Sequence, residues 1–456
     1  MSSTPIRIAV VGSGPAGFYA AGHLLAAEAP VEVDLFERLP TPWGLVRLGV
    51  APDHPKIKSV SRAFEKIAER PGFRFLGNVD VGRDVSHDDL TGLYHAVVYT
   101  VGAQTDRRMG IPGEDLPGSW PATAFVAWYN GHPDFQDLSF DLSGERVVVV
   151  GAGNVAVDVA RMLALTGAEL RPTDTTDAAI EAIVGSGSSE IVMLARRGPA
   201  QAAFTTPELQ ELGELAGADV VVDPADLELD AASEAALAED TTARRNADVL
   251  REYTLRERSG KPKTLRLRFC TSPVAILGDG RVEAVEVVRN ELVADQSGRV
   301  KAVPTDEREV LPCGLVLRSV GYHGIPLPGV PFDERAGTIP NNRGRVVGAD
   351  GEQVRGVYCA GWIKRGPSGV IGTNKKDATE TVELLLEDAR EGRLGQPEAG
   401  GAERVLELLA GRGVEVVTYA GWQAIDRVEC ARGAEQGRPR VKLCSWDELL
   451  AAARGG

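Results

Sequence analysis

RIAVVGSGPAG at residues 7–17 and RVVVVGAGNVA at residues 146–156 are one pattern written twice, and the repetition decides the fold. In each copy a short β-branched run ends in G-x-G-x-x-G/A and opens into an apolar-periodic stretch. That is the strand, phosphate turn and helix start of a dinucleotide-binding βαβ unit. Gly12 and Gly151 permit the tight turn off the strand. Gly14 and Gly153, lacking a Cβ, let a pyrophosphate approach the backbone and the positive end of the following helix. Gly17 and Ala156 allow helix and strand to pack closely. Two copies predict two bound dinucleotides.

The second strand of each unit selects the nucleotide. VEVDLFE (31–37) ends in Glu37, an acid that accepts hydrogen bonds from ribose hydroxyls and repels a 2′-phosphate, so the first site is expected to hold FAD or NAD rather than NADP. EIVMLARRG (190–198) ends instead in Arg196 and Arg197, whose guanidiniums suit a 2′-phosphate, so the second site is expected to take NADP(H). A third motif, GVYCAGWIKRGPSGVIGTNKKDATETVELLL (356–386), reads as a strand, a Gly-rich loop and a helix. Thr373 or Asn374 is expected to cap that helix, whose positive end would stabilise charge developing on a reduced flavin.

Between these motifs the chain reads as a Pro/Gly-rich loop (39–56), a helix near 57–70, a strand near 73–81 and an apolar strand in AVVYTVGA (96–103). The second unit closes in the same way, in LVLRSVGYHG (315–324). Residues 165–189 interrupt the second unit, 224–261 reads as charged, helical and exposed, and the alternation over 262–311 suits antiparallel strands.

At 456 residues the chain has room for two or three domains, and its net charge of −15 argues against nucleic acid as a partner. No stretch reaches transmembrane length and the first strand begins near Ile6, so a cytoplasmic protein is expected. Cys270, Cys313, Cys359, Cys430 and Cys444 are widely spaced, with no C-x-x-C pair. That excludes both an in-chain iron–sulfur cluster and the dithiol chemistry of thioredoxin-reductase-type flavoenzymes. Electrons must leave the flavin by another route, and no metal site is expected.

Several longer stretches carry a resemblance: VGSGPAGFYAA (11–21), PTPWGLVRLGVAPDHPKIK (40–58), FLGNVDVG (75–82), VGAQ (101–104), IPGEDLPG (111–118), VVGAGNVAVDVAR (149–161), RRGPAQAAFT (196–205), RSVGY (318–322) and GWIKRGPSGVIGTNKKDA (361–378). With these the chain resembles the adrenodoxin-reductase-type ferredoxin–NADP+ reductases, glutathione-reductase-like flavoproteins. The resemblance implies an α/β protein of two Rossmann-like, three-layer ββα nucleotide-binding domains. The FAD domain would be discontinuous, 1–106 and 325–456 including the segment 400–456, and 107–324 would bind NADP. Carried onto matching positions, it puts Ala16, Glu37, Leu45, Val81, Trp362, Gly369, Val370 and Ile371 on FAD. Arg107, Gly153, Asn154, Val155, Arg196, Arg197, Glu208 and Gly369 fall on NADP(H). The implied activity is hydride transfer from NADPH to FAD, then single-electron transfer to a ferredoxin-type iron–sulfur protein.

Hydride transfer needs orientation rather than an acid or a nucleophile. His54, in APDHPK, with Glu208 and Glu211, is a candidate for shaping the nicotinamide site, and the resemblance implies that Asp158 reaches His54. Ferredoxins are commonly acidic, so a local basic face is expected for docking. Lys56, Lys58 and Arg62, Arg244, Arg245 and Arg251, and Lys364 with Arg365 are the candidates. Two alternatives stay open: a reductase module of the glutamate-synthase small-subunit kind, whose N-terminal cysteine-rich domain is missing here, and a flavoprotein that binds without catalysis.

Overall fold

β-branched runs alternating with apolar-periodic stretches build parallel sheets with helices packed on them. The computed structural model, which describes residues 5–295, 300–397 and 403–455, contains two such sheets, each in its own compact unit. One unit comprises residues 1–105 and 321–456, the other residues 106–320. The domain limits and strand region expected above also run over residues 1–4, 296–299, 398–402 and 456, which lie outside the described residues.

In the first unit the strand Ile6–Val11 lies between Val31–Phe36 and Ala96–Tyr99, with Phe73–Leu76 beyond the former and Gln353–Cys359 beyond the latter, all parallel. The chain winds outward on one side, returns to the centre and continues on the other. That reversal opens a crevice at the carboxyl ends of the strands, where open α/β sheets bind ligands. Ile8, Val10, Val33, Leu35 and Val98 pack with Phe18, Ala378 and Val382 of the helices Pro15–Leu24 and Thr373–Arg390. Ala9, Val11, Phe36, Val97 and Val357 face the other way, onto Val79, Leu90 and Leu409. Burial on both faces explains why these strands read as unbroken apolar runs.

The second unit repeats the scheme. Arg146–Val150 lies between Glu190–Leu194 and Leu315–Arg318 in a six-stranded sheet, again with the order reversing beside the Gly-rich strand. Val147, Val149, Ile191 and Met193 face a helical layer that includes Ala122–Tyr129 and Asn154–Ala164. Val148, Val150, Val192 and Leu194 face an antiparallel sheet of Thr271–Leu277, Ala284–Ala294 and Val300–Pro312. Sheet, sheet and helix form three layers.

Several expectations need correction. TLRLRF does not belong to the antiparallel sheet, because Lys263–Arg268 is a parallel strand between Glu190–Leu194 and Ala218–Val222. Its alternation has another cause. Leu265 and Leu267 enter the helix-facing core, while Arg266 and Arg268 pair with Glu190 and Glu309. Residues 165–189 are no plain interruption but carry the helices Gly167–Leu170 and Asp177–Val184. The helix Thr241–Leu255 is not simply exposed, since it buries Ala243, Ala247, Leu250 and Tyr253. The strand near 73–81 stops at Leu76, and the loop 39–56 contains the short helix Leu45–Leu48. Among the described residues no helix is long and apolar enough to cross a membrane.

Candidate cofactor and coenzyme sites

The glycines of the first turn divide into two kinds. Gly12 has φ +102°, and a Cβ there would lie 2.8 Å from the carbonyl oxygen of Thr100; a Cβ on Gly17 would lie 2.0 Å from that of Gly12. Both are required by the fold itself. A Cβ on Gly14 would meet nothing within 4 Å, and its backbone is extended, at φ −74°. Nothing in the protein demands glycine there; a ligand in the open space beside it would. The adjoining helix begins at Pro15, which has no N–H, and Gly14 offers no capping side chain. The donors of Ala16 and Gly17 therefore remain for an anion. These residues fit a dinucleotide pyrophosphate.

Glu37 is tied into this turn. Its Oε2 accepts from the Ser13 N–H at 3.1 Å and the Ser13 hydroxyl at 2.7 Å, and its Oε1 accepts from the Leu39 N–H at 3.0 Å. The next segment is anchored to Glu37 as well, through the Val79 N–H at 2.9 Å to its carbonyl, which sets buried Val81 close behind. From the other side Gly44 lies against Gly14, and Gly361 lies against Ala16. Leu45 and Val370 are 49% and 55% exposed, apolar surface suited to a flat aromatic ligand. Trp362 donates from Nε1 to the Ser368 carbonyl at 3.2 Å and stacks on Tyr322 with centroids 5.5 Å apart. Gly369, at φ +80°, bends the loop so closely that a Cβ would lie 2.4 Å from Thr373 Oγ1.

Thr373 and Asn374 do not cap the helix with their side chains as expected. Thr373 Oγ1 donates to the Val370 carbonyl and Asn374 Nδ2 to that of Ile371, so both hold the preceding loop, and Gly372 stands at the cap. The first backbone N–H groups of this helix are turned back as well, those of Thr373, Asn374 and Lys375 donating to the carbonyls of Val370, Ile371 and Gly372 at 3.0, 3.2 and 3.2 Å.

The second turn has the same division of labour. Gly151 has φ +145°, and a Cβ there would lie 2.3 Å from the Ser319 carbonyl oxygen, whereas one on Gly153 would meet nothing within 4 Å. The helix starts at Asn154 with no side-chain cap. Asn154 Oδ1 accepts from the Thr205 N–H at 2.8 Å, steadying a second loop, while the Val155 side chain is half-buried. The Arg196 carbonyl accepts from Asn290 Nδ2 at 2.9 Å and that of Arg197 from the Cys270 N–H at 3.1 Å. The backbone is pinned while the Arg196 side chain is exposed; among the described residues it forms no ion pair. Arg107 is exposed and Glu208 is buried in the first turn of the helix Thr206–Leu212.

Of the candidate catalytic groups, His54 is buried at the start of the short helix Pro55–Lys58, where its carbonyl accepts from Ile57 and Lys58. Asp158 and Glu211 are brought together by buried Arg161, at 2.6 Å each. Four docking candidates have other work. Lys364 is buried, with Nζ 2.9 Å from Glu380, 3.1 Å from Asp377 and 3.2 Å from Thr381 Oγ1. Arg244 donates to the Leu237 and Ala238 carbonyls that end the helix Ala231–Glu239, and Arg251 pairs with Asp248. Arg365 is turned inward onto Ser368 and Asn374. Lys56, Arg62 and Arg245 are exposed.

Sequence reasoning missed Thr100, whose hydroxyl donates to the Val11 and Gly12 carbonyls and secures the first turn. Its place before a glycine at a strand end, in YTVG, was the available signal. It missed Arg161 as well, for which no local signal exists. All five cysteines are free thiols, and burial pushes the pKa of each one up, that of Cys313 to about 12 and that of Cys444 to about 11. Burial thus disfavours the reactive thiolate at each of them.

Two Gly-rich turns of this geometry define a two-dinucleotide flavoprotein oxidoreductase, and comparison with known proteins agrees. A family model described as pyridine nucleotide-disulphide oxidoreductase matches residues 6–196. The NADPH-ferredoxin reductase FprA of Mycobacterium leprae is 53% identical over 98% of both chains. The mitochondrial NADPH:adrenodoxin oxidoreductase of Bos taurus is 42% identical, over 97% of this chain and 91% of its own. A solved structure of Mycobacterium tuberculosis FprA in complex with NADPH is 53% identical and superposes with a TM-score of 0.94, covering 99% of this chain and 100% of that one. The chain belongs to the family of NADPH-ferredoxin reductases.

Proposed function

We propose that this protein is an NADPH:ferredoxin oxidoreductase that uses FAD. The observation that carries the reading is the paired cradle. At Gly14 and at Gly153 the fold leaves open space beside uncapped helix N–H groups, at the carboxyl ends of two separate parallel sheets. FAD, when bound, supplies the conversion of a two-electron hydride donor into single electrons. The chain's own residues bind and orient. The N–H groups of Ala16 and Gly17 hold one pyrophosphate and Glu37 the ribose, while Leu45, Val81, Trp362, Gly369, Val370 and Ile371 enclose the flavin. Asn154 and Val155 receive the coenzyme pyrophosphate, Arg196 and Arg197 its 2′-phosphate, and Arg107 and Glu208 flank it. His54, Asp158 and Glu211 shape the nicotinamide site. On this reading residues 1–106 and 325–456 form the FAD domain and 107–324 the NADP domain. The five free thiols suit the reducing cytoplasm. The test is direct: the purified protein should be yellow and should bleach anaerobically with NADPH. A folded but colourless protein would overturn the assignment.

The electron acceptor is a ferredoxin-type iron–sulfur protein, which we take to be acidic and to dock on Lys56, Lys58 and Arg245. With Lys364 and Arg244 committed elsewhere, Lys56→Glu with Lys58→Glu is the variant of choice. NADPH-to-ferricyanide activity should survive, since a small acceptor needs no docking. Ferredoxin-dependent cytochrome c reduction should fall roughly tenfold at low salt, and the gap to the native rate should close as the Debye length drops below about 10 Å. Unchanged ferredoxin coupling at low salt would place the docking face elsewhere.

A further inference from the structure

Glu429, on the helix Tyr419–Glu435, is fully buried. Its carboxylate accepts two bonds from the Arg47 guanidinium at 2.8 and 2.5 Å, one from Arg440 at 3.2 Å and one from the Leu443 N–H at 2.9 Å. These contacts hold the carboxyl below its usual pKa. Arg47 is also buried, its guanidinium 5.1 Å from the Trp422 ring centroid and its Nε without a partner. Its carbonyl accepts from Lys442 Nζ at 3.2 Å, and Trp43 meets Trp422 edge-on at 6.2 Å. The stretch from Trp43 to Leu48 is therefore gripped by side chains from the C-terminal segment.

The opposite side of the same stretch touches the first dinucleotide turn. The Trp43 N–H donates to the Ser13 carbonyl at 3.1 Å. A Cβ on Gly44, at φ +49°, would lie 2.9 Å from Gly14 Cα. Next to it Leu45 stands half-exposed at the rim. A buried ion pair with an orphaned Nε is a poor way to gain stability, since apolar residues of similar volume do as well. It is a good way to fix one register of a backbone.

We infer that the C-terminal helical segment is a cofactor clamp: Glu429, acting through Arg47, positions Trp43–Leu48 over the FAD turn, so FAD retention depends on a carboxylate 382 residues further along the chain. Glu429 and Arg47 are positioning residues, and the inference rests on the FAD reading above. It is tested with Glu429→Gln and with the double variant Arg47→Met/Glu429→Met. The measurements are FAD dissociation by flavin fluorescence, the melting temperature of the FAD-free protein, and NADP+ affinity.

Glu429→Gln should raise the FAD dissociation constant tenfold or more and leave NADP+ affinity unchanged, because the Gly153 turn is in the other unit. The double variant should melt like the native FAD-free protein yet still bind FAD at least tenfold more weakly. FAD affinity within twofold of native in either folded variant overturns the clamp, as does FAD affinity in the double variant that recovers together with its melting temperature. A native protein that binds no FAD at all would sink the functional reading itself.

Discussion

Gly14→Val should yield a folded, colourless protein. A Cβ at this position would meet no protein atom within 4 Å, and its extended backbone is one that a β-branched residue adopts readily. The melting temperature of the FAD-free protein is therefore expected to match that of the native FAD-free form. What the side chain fills is the space a pyrophosphate needs. Two hydrogen bonds to a charged group at roughly 1.5–3 kcal/mol each correspond to a loss of more than about a hundredfold in FAD affinity. Gly17→Ala makes the contrast. Its new methyl group would sit 2.0 Å from the Gly12 carbonyl oxygen, so the strand and helix must separate, and overpacking of this kind costs roughly 1–3 kcal/mol or more of stability. Gly14→Val that retains flavin, or that unfolds as readily as Gly17→Ala, would show that the open space beside Gly14 is not the cofactor cradle.

Arg196→Ala with Arg197→Ala should change coenzyme preference. Binding of NADPH should weaken about ten- to a hundredfold, the equivalent of roughly 1.5–3 kcal/mol for charge-assisted contacts to a phosphate. Binding of NADH, which has no 2′-phosphate, should change little. Because the Arg196 side chain is exposed, the NADPH advantage of the native protein should also shrink as salt is raised. The Asn290 and Cys270 bonds to the backbone of this pair do not involve the guanidiniums, and the melting temperature of the variant is measured beside its coenzyme affinities. Equal loss for both coenzymes, read from titrations of protein absorbance, would mean that these arginines do not read the 2′-phosphate.

Much of this was legible in the residues because the chemistry of a phosphate turn is local. G-x-G-x-x-G places its tight turn, its open approach and its helix start within six positions, and the residue that selects the nucleotide ends the next strand, whether 20 residues beyond Gly17 or, past the helices of 165–189, 40 beyond Ala156. The three-layer build of the second unit was expected only through the family resemblance, although burial on both faces accounts for the near-continuous apolar runs of its strands. Less was visible where one pattern serves two environments. Lys263–Arg268 alternates like a half-solvated strand, yet its polar side carries charges paired between two layers with Glu190 and Glu309. Lys364 reads as a surface charge beside a flavin loop and is instead buried among Glu380, Asp377 and Thr381.

The amino-acid sequence by itself determined that two dinucleotide turns exist, that the first ends on an acid and the second on arginines, and that no cysteine pair is available. Each of these is a property of neighbours along the chain. The tertiary structure alone decided which charges are already committed, which strand runs parallel, and that the C-terminal helix reaches back to the stretch lying on Gly14. Those outcomes depend on partners far apart in sequence: Arg47 and Glu429 are 382 residues apart. Whether a guanidinium meets a carboxylate, a carbonyl or water is settled only when folding has removed one side of it from solvent.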